Sequence, residues 1–439
     1  MKPNYALRIT ASLAGLCILA AGAAHGATLC VNPGGTAGCY ATISAAVSAA
    51  SATSVIQVAK GIYKESVVIT QPLTLAGAGA IIDATGKGVG IFVNGMSAQP
   101  AAGIWLVNIY GFTIKNANYE GILVANAVDV AISGNILDGN NKGLDYAAGT
   151  CAGLPGYETN EGADCGEAIH LMAVHHSIVS GNIITNNAGG MLLSDETGPT
   201  YENVIMGNSV TNNALDCGIT LASHTPAPGL PQAPSFGVFR NTVSNNVVTN
   251  NGNIGQGAGV GIFAPGPGSA NWGNVVANNV LMDNGLGGVT MHNHAAPGVG
   301  GVPAQAPGVN LNDNQIIGNR ISGNGADNDD PASPGATGIS ILSFAPVSGT
   351  VIAQNVFSSE VADITFNAPS GLLAVHQNGF SGIEIGVDAE GNAAIDATQN
   401  WWGCPDGPGG VGCSTVLGNA VYAPSWLGAA LPAPIVPQF

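Results

Sequence analysis

Charged side chains make up only 8% of this 439-residue chain, so the carboxylates and imidazoles able to do chemistry stand out. Asp195 and Glu196 close one apolar strand, and His224 closes another. An imidazole beside a carboxylate can hold a general base near neutral pKa. Two carboxylates flanking a glycosidic bond are what its hydrolysis requires. Glu196 and Asp195 are therefore the acid/base candidates, with His224 and His292 shaping or activating the site. His170, His294, Phe263 and Asp216 are the substrate-contact candidates. Phe263, like Phe344, offers an apolar face to a pyranose ring. Asp216 and Glu167 precede strands, where solvated turn carboxylates are the plainer reading. His292-Asn-His294 puts two imidazoles at i and i+2, on one side of a strand, which suits two metal ligands. Asp327-Asn-Asp-Asp330 offers oxygen atoms to calcium but lacks a fixed ligand spacing, and reads first as a solvated loop. No cofactor is assigned; calcium or another divalent cation is left as an open option.

These residues are far apart in sequence, and a repeat must bring them together. One half of the repeat is a glycine-led apolar strand, as in Gly190-Met-Leu-Leu-Ser194, Gly218-Ile-Thr-Leu-Ala222, Gly259-Val-Gly-Ile-Phe263 and Gly288-Val-Thr-Met-His292. The other half is bracketed by asparagine, as in Asn182-Ile-Ile-Thr-Asn-Asn187, Asn208-Ser-Val-Thr-Asn-Asn213 and Asn279-Val-Leu-Met-Asp-Asn284. A strand-plus-turn unit of this size cannot bury its own apolar face, so the units must stack as a solenoid. Equal phases in neighbouring units then lie about 4.8 Å apart. Ile219 and Leu221 must fill the bore, so Thr220, Ala222 and His224 face outward.

The same phase gives three outward columns. The first reads Leu123, His170, Leu192, Thr220, Gly261, Thr290, Ser340, and the second Ala125, Met172, Ser194, Ala222, Phe263, His292, Leu342. The third reads Val174, Glu196, His224, Pro265, His294, Phe344. Glu196 and His224 become neighbours on adjacent coils. Insertions at 142–167, 223–237, 293–309 and 326–337 are rich in Pro, Gly and Asp and read as surface loops beside a groove.

The composition sets the class. With 65 Gly and 25 Pro the chain is poor in helix formers, yet 46% of its residues are hydrophobic. Small residues turn the corners, aliphatics fill the bore, and uncharged Asn, Ser and Thr cover the outside; the bracketing asparagines also suit amide ladders that satisfy turn backbones. Acidic residues outnumber Lys and Arg by 26 to 9. An anionic surface disfavours nucleic acid and anionic membranes and suits neutral glycans or a cation.

Residues 1–26 look like a secretory leader, with Lys2 and Arg8 before an apolar run and Ala24-His25-Gly26 as the cleavage site. No second apolar segment long enough to span a membrane follows. In an exported chain, Cys30/Cys39, Cys151/Cys165 and Cys404/Cys413 read as three local disulfides, leaving Cys217 as a buried small hydrophobe. Residues 27–439 form one elongated domain, with a cap over 27–60 and a closing tail over 400–439. Within the cap, Tyr40–Ala50 reads as a short helix capped by Thr42.

The stacked Asn-x-(Ile/Val)-x-x-Asn coils, the opening with Gly61-Ile-Tyr-Lys-Glu65 and Leu73-Thr-Leu75, and the closing Asn400-Trp-Trp-Gly403 resemble the pectin-lyase-like superfamily of right-handed parallel β-helices. The resemblance spans nearly the whole chain after the leader. It implies an all-β single solenoid, and it leaves the activity open because that fold hosts lyases, hydrolases, epimerases, esterases and non-catalytic proteins. The pectate-lyase Arg-x-Pro-x-x-Arg phrase, the polygalacturonase Asn-Thr-Asp and Gly-His-Gly phrases and the epimerase Asp-Pro-His-Asp phrase have no counterpart in this sequence. After the leader only Arg240 and Arg320 remain as arginines, which disfavours a metal-free uronate lyase.

The sequence therefore predicts a secreted (extracellular or periplasmic) monomer. It is expected to cleave a polysaccharide or oligosaccharide along the outer groove of the β-helix, with hydrolysis favoured over β-elimination. Two rivals stand beside it: a non-catalytic glycan-binding or cell-surface protein, and a periplasmic metal-handling protein using the His-x-His pair.

Overall fold

The structure, a computed structural model, describes residues 26–96, 103–157, 167–224, 235–254, 257–299, 301–382, 384–423 and 426–430. The expected leader lies outside them except for Gly26. The chain winds as a parallel β-helix: all but two of the described strands join one sheet of 36 strands, and each pairs in parallel with a strand one coil before it, one coil after it, or both. Among the described residues, no helix is long and apolar enough to cross a membrane.

Each coil has three faces, and their inward aliphatics stack in register. On the first face Ile122, Ile169, Met191, Ile219, Val260, Val289 and Ile339 succeed one another. On the second, Ile132, Val179, Ile205, Val243, Val276 and Ile316 do the same. The third carries Leu137, Ile184, Val210, Val248, Leu281 and Ile321. All are buried in one continuous core. The alternation that the sequence displays is thus what builds the bore, because a parallel ladder keeps equal phases over one another.

The asparagines at the corners do not cover the outside. Asn182, Asn208, Asn246 and Asn279 are buried, and each side-chain amide donates to the amide oxygen of the next at about the same 3.0 Å spacing. The same oxygen also accepts the backbone N–H of the preceding asparagine. A buried corner has no water, so the amide supplies the donor and acceptor that the turning backbone lacks. The residue before each rung is left-handed, whether Gly207 (φ 63°), Asn245 (φ 56°) or Gln377 (φ 56°), so this corner is built by geometry rather than by glycine alone.

Both ends are closed. The helix Ile43–Ala49 has Thr42 as its N-cap, accepting from Ala45 N, and buries Ile43, Ala46 and Val47 against the first coils. Glu65 accepts from the first N–H groups of the helix, those of Ile43 and Ser44, at 2.8 Å each. At the far end Trp402 is fully buried, 4.8 Å from the Phe380 ring. Cys30–Cys39 and Cys404–Cys413 are disulfides, and Cys217 is free and buried. Cys151 is also disulfide-bonded; its expected partner, Cys165, lies outside the described residues.

Candidate functional site

The first face carries the chemistry-bearing residues, in the register the alternation requires. His170 pairs with Leu192, which pairs with Thr220, Gly261, Thr290 and Ser340 in turn. Beside that column run Met172, Ser194, Ala222, Phe263, His292 and Leu342. The third expected column begins wrongly. Val174 lies in the core, because Ala173 adopts a left-handed φ of 55° and returns the next side chain to the bore.

The outward face is not an open groove. His170, Thr290, Ser340 and Met172 are all buried. A face this buried excludes a polymer from most of its length, and it reaches solvent just past strand ends, as at Thr197 and His294.

At one such point Ser194, Asp195 and Glu196 leave the strand Met191–Ser194 and meet His170 from the previous coil and His224 from the next. Nε2 of His170 lies 2.6 Å from Oγ of Ser194, whose hydroxyl donates to Glu196. Oε1 of Glu196 lies 3.4 Å from Nδ1 of His224. On the far side of His170, Nδ1 is 3.7 Å from Oε1 of Glu120. Burial pushes the Glu196 carboxyl up, but the His224 and His170 imidazoles and the Ser194 hydrogen bond outweigh it and hold the group below its ordinary value.

Asp195, proposed from sequence as the second acid, is engaged differently. Its oxygens accept the backbone N–H of His224 at 2.7 Å and of Gly237 at 2.6 Å, and the Ser223 hydroxyl at 3.1 Å. It ties the two ends of the 224–237 insertion together, and burial raises its pKa despite those bonds. Asp216 precedes the strand Ile219–Ala222 while His224 follows it, on the order of 20 Å of extended chain away. There its carboxylate accepts Cys217 N at 2.6 Å. Glu167, expected in solvent, is buried. Phe263 does not present its ring to a groove: it packs on Cys217, Ala258 and Leu286 and folds back over Gly261, where any Cβ would meet it at 2.3 Å.

Higher on the same face, His292 and His294 form a second cluster with the 326–337 loop. Nε2 of His292 lies 2.7 Å from Oδ2 of Asp327, which also receives the Ser340 hydroxyl. Nδ1 of His292 lies 3.3 Å from Nε2 of His294. Both atoms approach Oδ2 of Asp329, at 3.8 and 3.7 Å. Burial and the adjoining His292 hold His294 below its ordinary pKa. Among the described residues His292, His294 and Asp329 are the one group with metal-holding spacing. The loop is therefore not simply solvated: Asp327 and Asp330 are buried, and Asp330 accepts the Asn367 amide at 2.8 Å.

Sequence reasoning passed over Glu120 and Ser194 as site residues, and weighed Asp327 and Asp329 for calcium rather than as partners of the two histidines. Ser194 was legible, since it shares a column with His292. The other three arrive from turns and loops, which carry no period.

Solved structures share the winding. A Dettilon tailspike protein (gp208) superposes with a TM-score of 0.52 at 15% identity, over 83% of this chain and 61% of its own. The fold is a parallel β-helix. An alginate lyase from Paenibacillus sp. str. FPU-7 matches at 17% identity and a TM-score of 0.46, over 74% of this chain and 94% of its own. Pectate lyase Pel9A matches at 13% identity and a TM-score of 0.45, over 78% of each chain. Residues 58–227 match the family described as periplasmic copper-binding protein (NosD). No curated protein sequence matches the chain. The matched residues contain Glu196 and His224 and stop short of His292.

Proposed function

We propose that this protein is exported and cleaves a polysaccharide or oligosaccharide bound at the strand ends of its first face, with Glu196 transferring the proton. One observation carries this reading: a single carboxylate held between two imidazoles from adjacent coils, its side chain 8% exposed while His170 is sealed at 0%. Asp195 is held by two backbone N–H groups and the Ser223 hydroxyl and lies 3.8 Å from Nδ1 of His224, whereas Glu196 faces both imidazoles, so Glu196 is the acid/base group. His170 and Ser194 form a relay behind it toward Glu120, and His224 sets its charge. The two end disulfides fit an oxidising compartment, and the leader over 1–26 would deliver the chain there. Residues 27–439 then act as one domain, capped over 27–60 and 400–439.

The test is a panel of neutral and acidic polysaccharides incubated with the unaltered chain and with Glu196→Gln. Cleavage by the first and none by the second, with identical circular dichroism and melting, supports the assignment. Reducing ends without new ultraviolet absorbance identify hydrolysis; a new C4–C5 double bond identifies elimination. Binding without cleavage by the unaltered chain would replace catalysis with adsorption.

A further inference from the structure

The His292 cluster stands apart from Glu196, and its geometry answers a different question. Three donor atoms, Nδ1 of His292, Nε2 of His294 and Oδ2 of Asp329, form a triangle with edges of 3.3, 3.7 and 3.8 Å. A tetrahedral centre with bonds of 2.0–2.1 Å separates its ligand atoms by about 3.4 Å. The triangle is therefore close to the size that one ion would impose, whereas an N–H···N hydrogen bond between the two rings would be long at this distance.

The atom behind the triangle matters as much. An ionised carboxylate can only accept, so the 2.7 Å contact with Asp327 calls for a proton on Nε2 of His292; in the neutral ring that leaves Nδ1 as a lone pair directed at His294 and Asp329. Asp327 is itself held by the Ser340 hydroxyl and by Asp329 N at 3.2 Å. His292 is buried, with its side chain 3% exposed, so the ring is fixed. Side chains of His294 and Asp329 are 48% and 55% exposed, which leaves one side open to solvent. A fixed inner ligand, an oriented outer carboxylate and an open side are the parts of a three-ligand centre with a free coordination position.

We infer that His292, His294 and Asp329 bind one divalent first-row transition-metal ion, with Asp327 as the positioning residue for His292. Two imidazole nitrogens exclude calcium and magnesium, which take oxygen ligands, and suit Zn(II) or Cu(II). None of these residues lies in 58–227, so the copper-binding description of that matched segment lends the site no support.

The experiment uses the full secreted chain, stripped with a chelator and titrated separately with Zn(II) and Cu(II), with bound metal counted after dialysis. One ion per chain is expected, and copper should show hyperfine coupling to two nitrogens in its electron paramagnetic resonance spectrum. His294→Ala and Asp329→Asn each weaken binding at least about tenfold, because each removes a ligand of three. Asp327→Asn, which touches no ion, weakens it by about 10–100-fold, since the amide can donate to Nε2 and move the His292 proton onto Nδ1. The two exposed-site variants should melt with the parent, so a fold defect does not confuse the result. Glu196→Gln should bind metal as the parent does, which keeps this outcome separate from the glycan test. Absence of stoichiometric binding at micromolar metal, or affinity unchanged in both His294→Ala and Asp329→Asn, overturns the inference.

Discussion

Oε1 of Glu196 and Nδ1 of His224 lie 3.4 Å apart across a single coil step. Their strands, Met191–Ser194 and Ile219–Ala222, pair in register, so the contact follows from the stacking of Leu193 over Leu221 beneath it. The imidazole is the largest influence pulling the Glu196 carboxyl down against its burial.

Removing that imidazole should move the pH profile. In His224→Ala the Glu196 pKa rises, because burial then loses its largest opponent. If ionised Glu196 limits cleavage, the acidic limb of the pH–rate profile shifts to higher pH, and activity falls further at about pH 5 than at about pH 8. A limb that stays in place while the rate falls uniformly would show that His224 contacts substrate and does not tune Glu196.

Glu360 ends one asparagine ladder, accepting from the Asn324 amide at 3.0 Å where another asparagine would stand. Burial lifts its pKa to about 7. The unfolded chain releases this proton near the ordinary glutamate value, so between there and about pH 7 the native state holds the extra proton and its stability falls as pH rises. Glu360→Gln keeps an acceptor and removes the titration. Its melting temperature should gain on the parent from about pH 5 to about pH 7 and then hold a constant lead. Parallel melting curves across that range would refute the burial argument.

Each interior ladder rung does four things at once. Asn246 accepts from the N–H and the side-chain amide of Asn208, and donates to Ile205 O and to Asn279. Asn246→Ala strands those groups in a dry corner and should cost about 3 kcal/mol or more, at about 1–3 kcal/mol for each orphaned group. Urea denaturation measures it. A cost below about 1 kcal/mol would mean that water enters the corner.

Gly261 has one reason to be glycine. A Cβ there would meet the Phe263 ring at 2.3 Å and Cys217 Sγ at 3.3 Å. Gly261→Ala should destabilise by about 1–3 kcal/mol through overpacking, and Phe263→Ala in the same chain should recover part of it. Failure of the second change to recover any stability would place the clash in the backbone.

Much of this site was legible before any coordinates. The alternation of Ile219, Leu221, Val260 and Ile262 dictates which side chains fill the bore, and from that the shared column of Ser194, Phe263 and His292 follows. Thr42 announced the capping helix, and the Asn-bracketed phrases announced the ladders, although composition alone misplaced them on the surface. Val174 was misread because one left-handed residue, Ala173, inverts the phase with no mark in the residue types.

Sequence by itself determined the register, because a two-residue period and a parallel ladder leave each strand only one way to bury its aliphatics. Tertiary structure alone decided which partners reach the face: Glu120 onto His170, Asp327 onto His292, and Asp195 away from both into the base of its own loop. Those side chains arrive on turns and insertions whose paths are set by a handful of long-range hydrogen bonds. Such contacts repeat nowhere along the chain, so no pattern of residues could announce them.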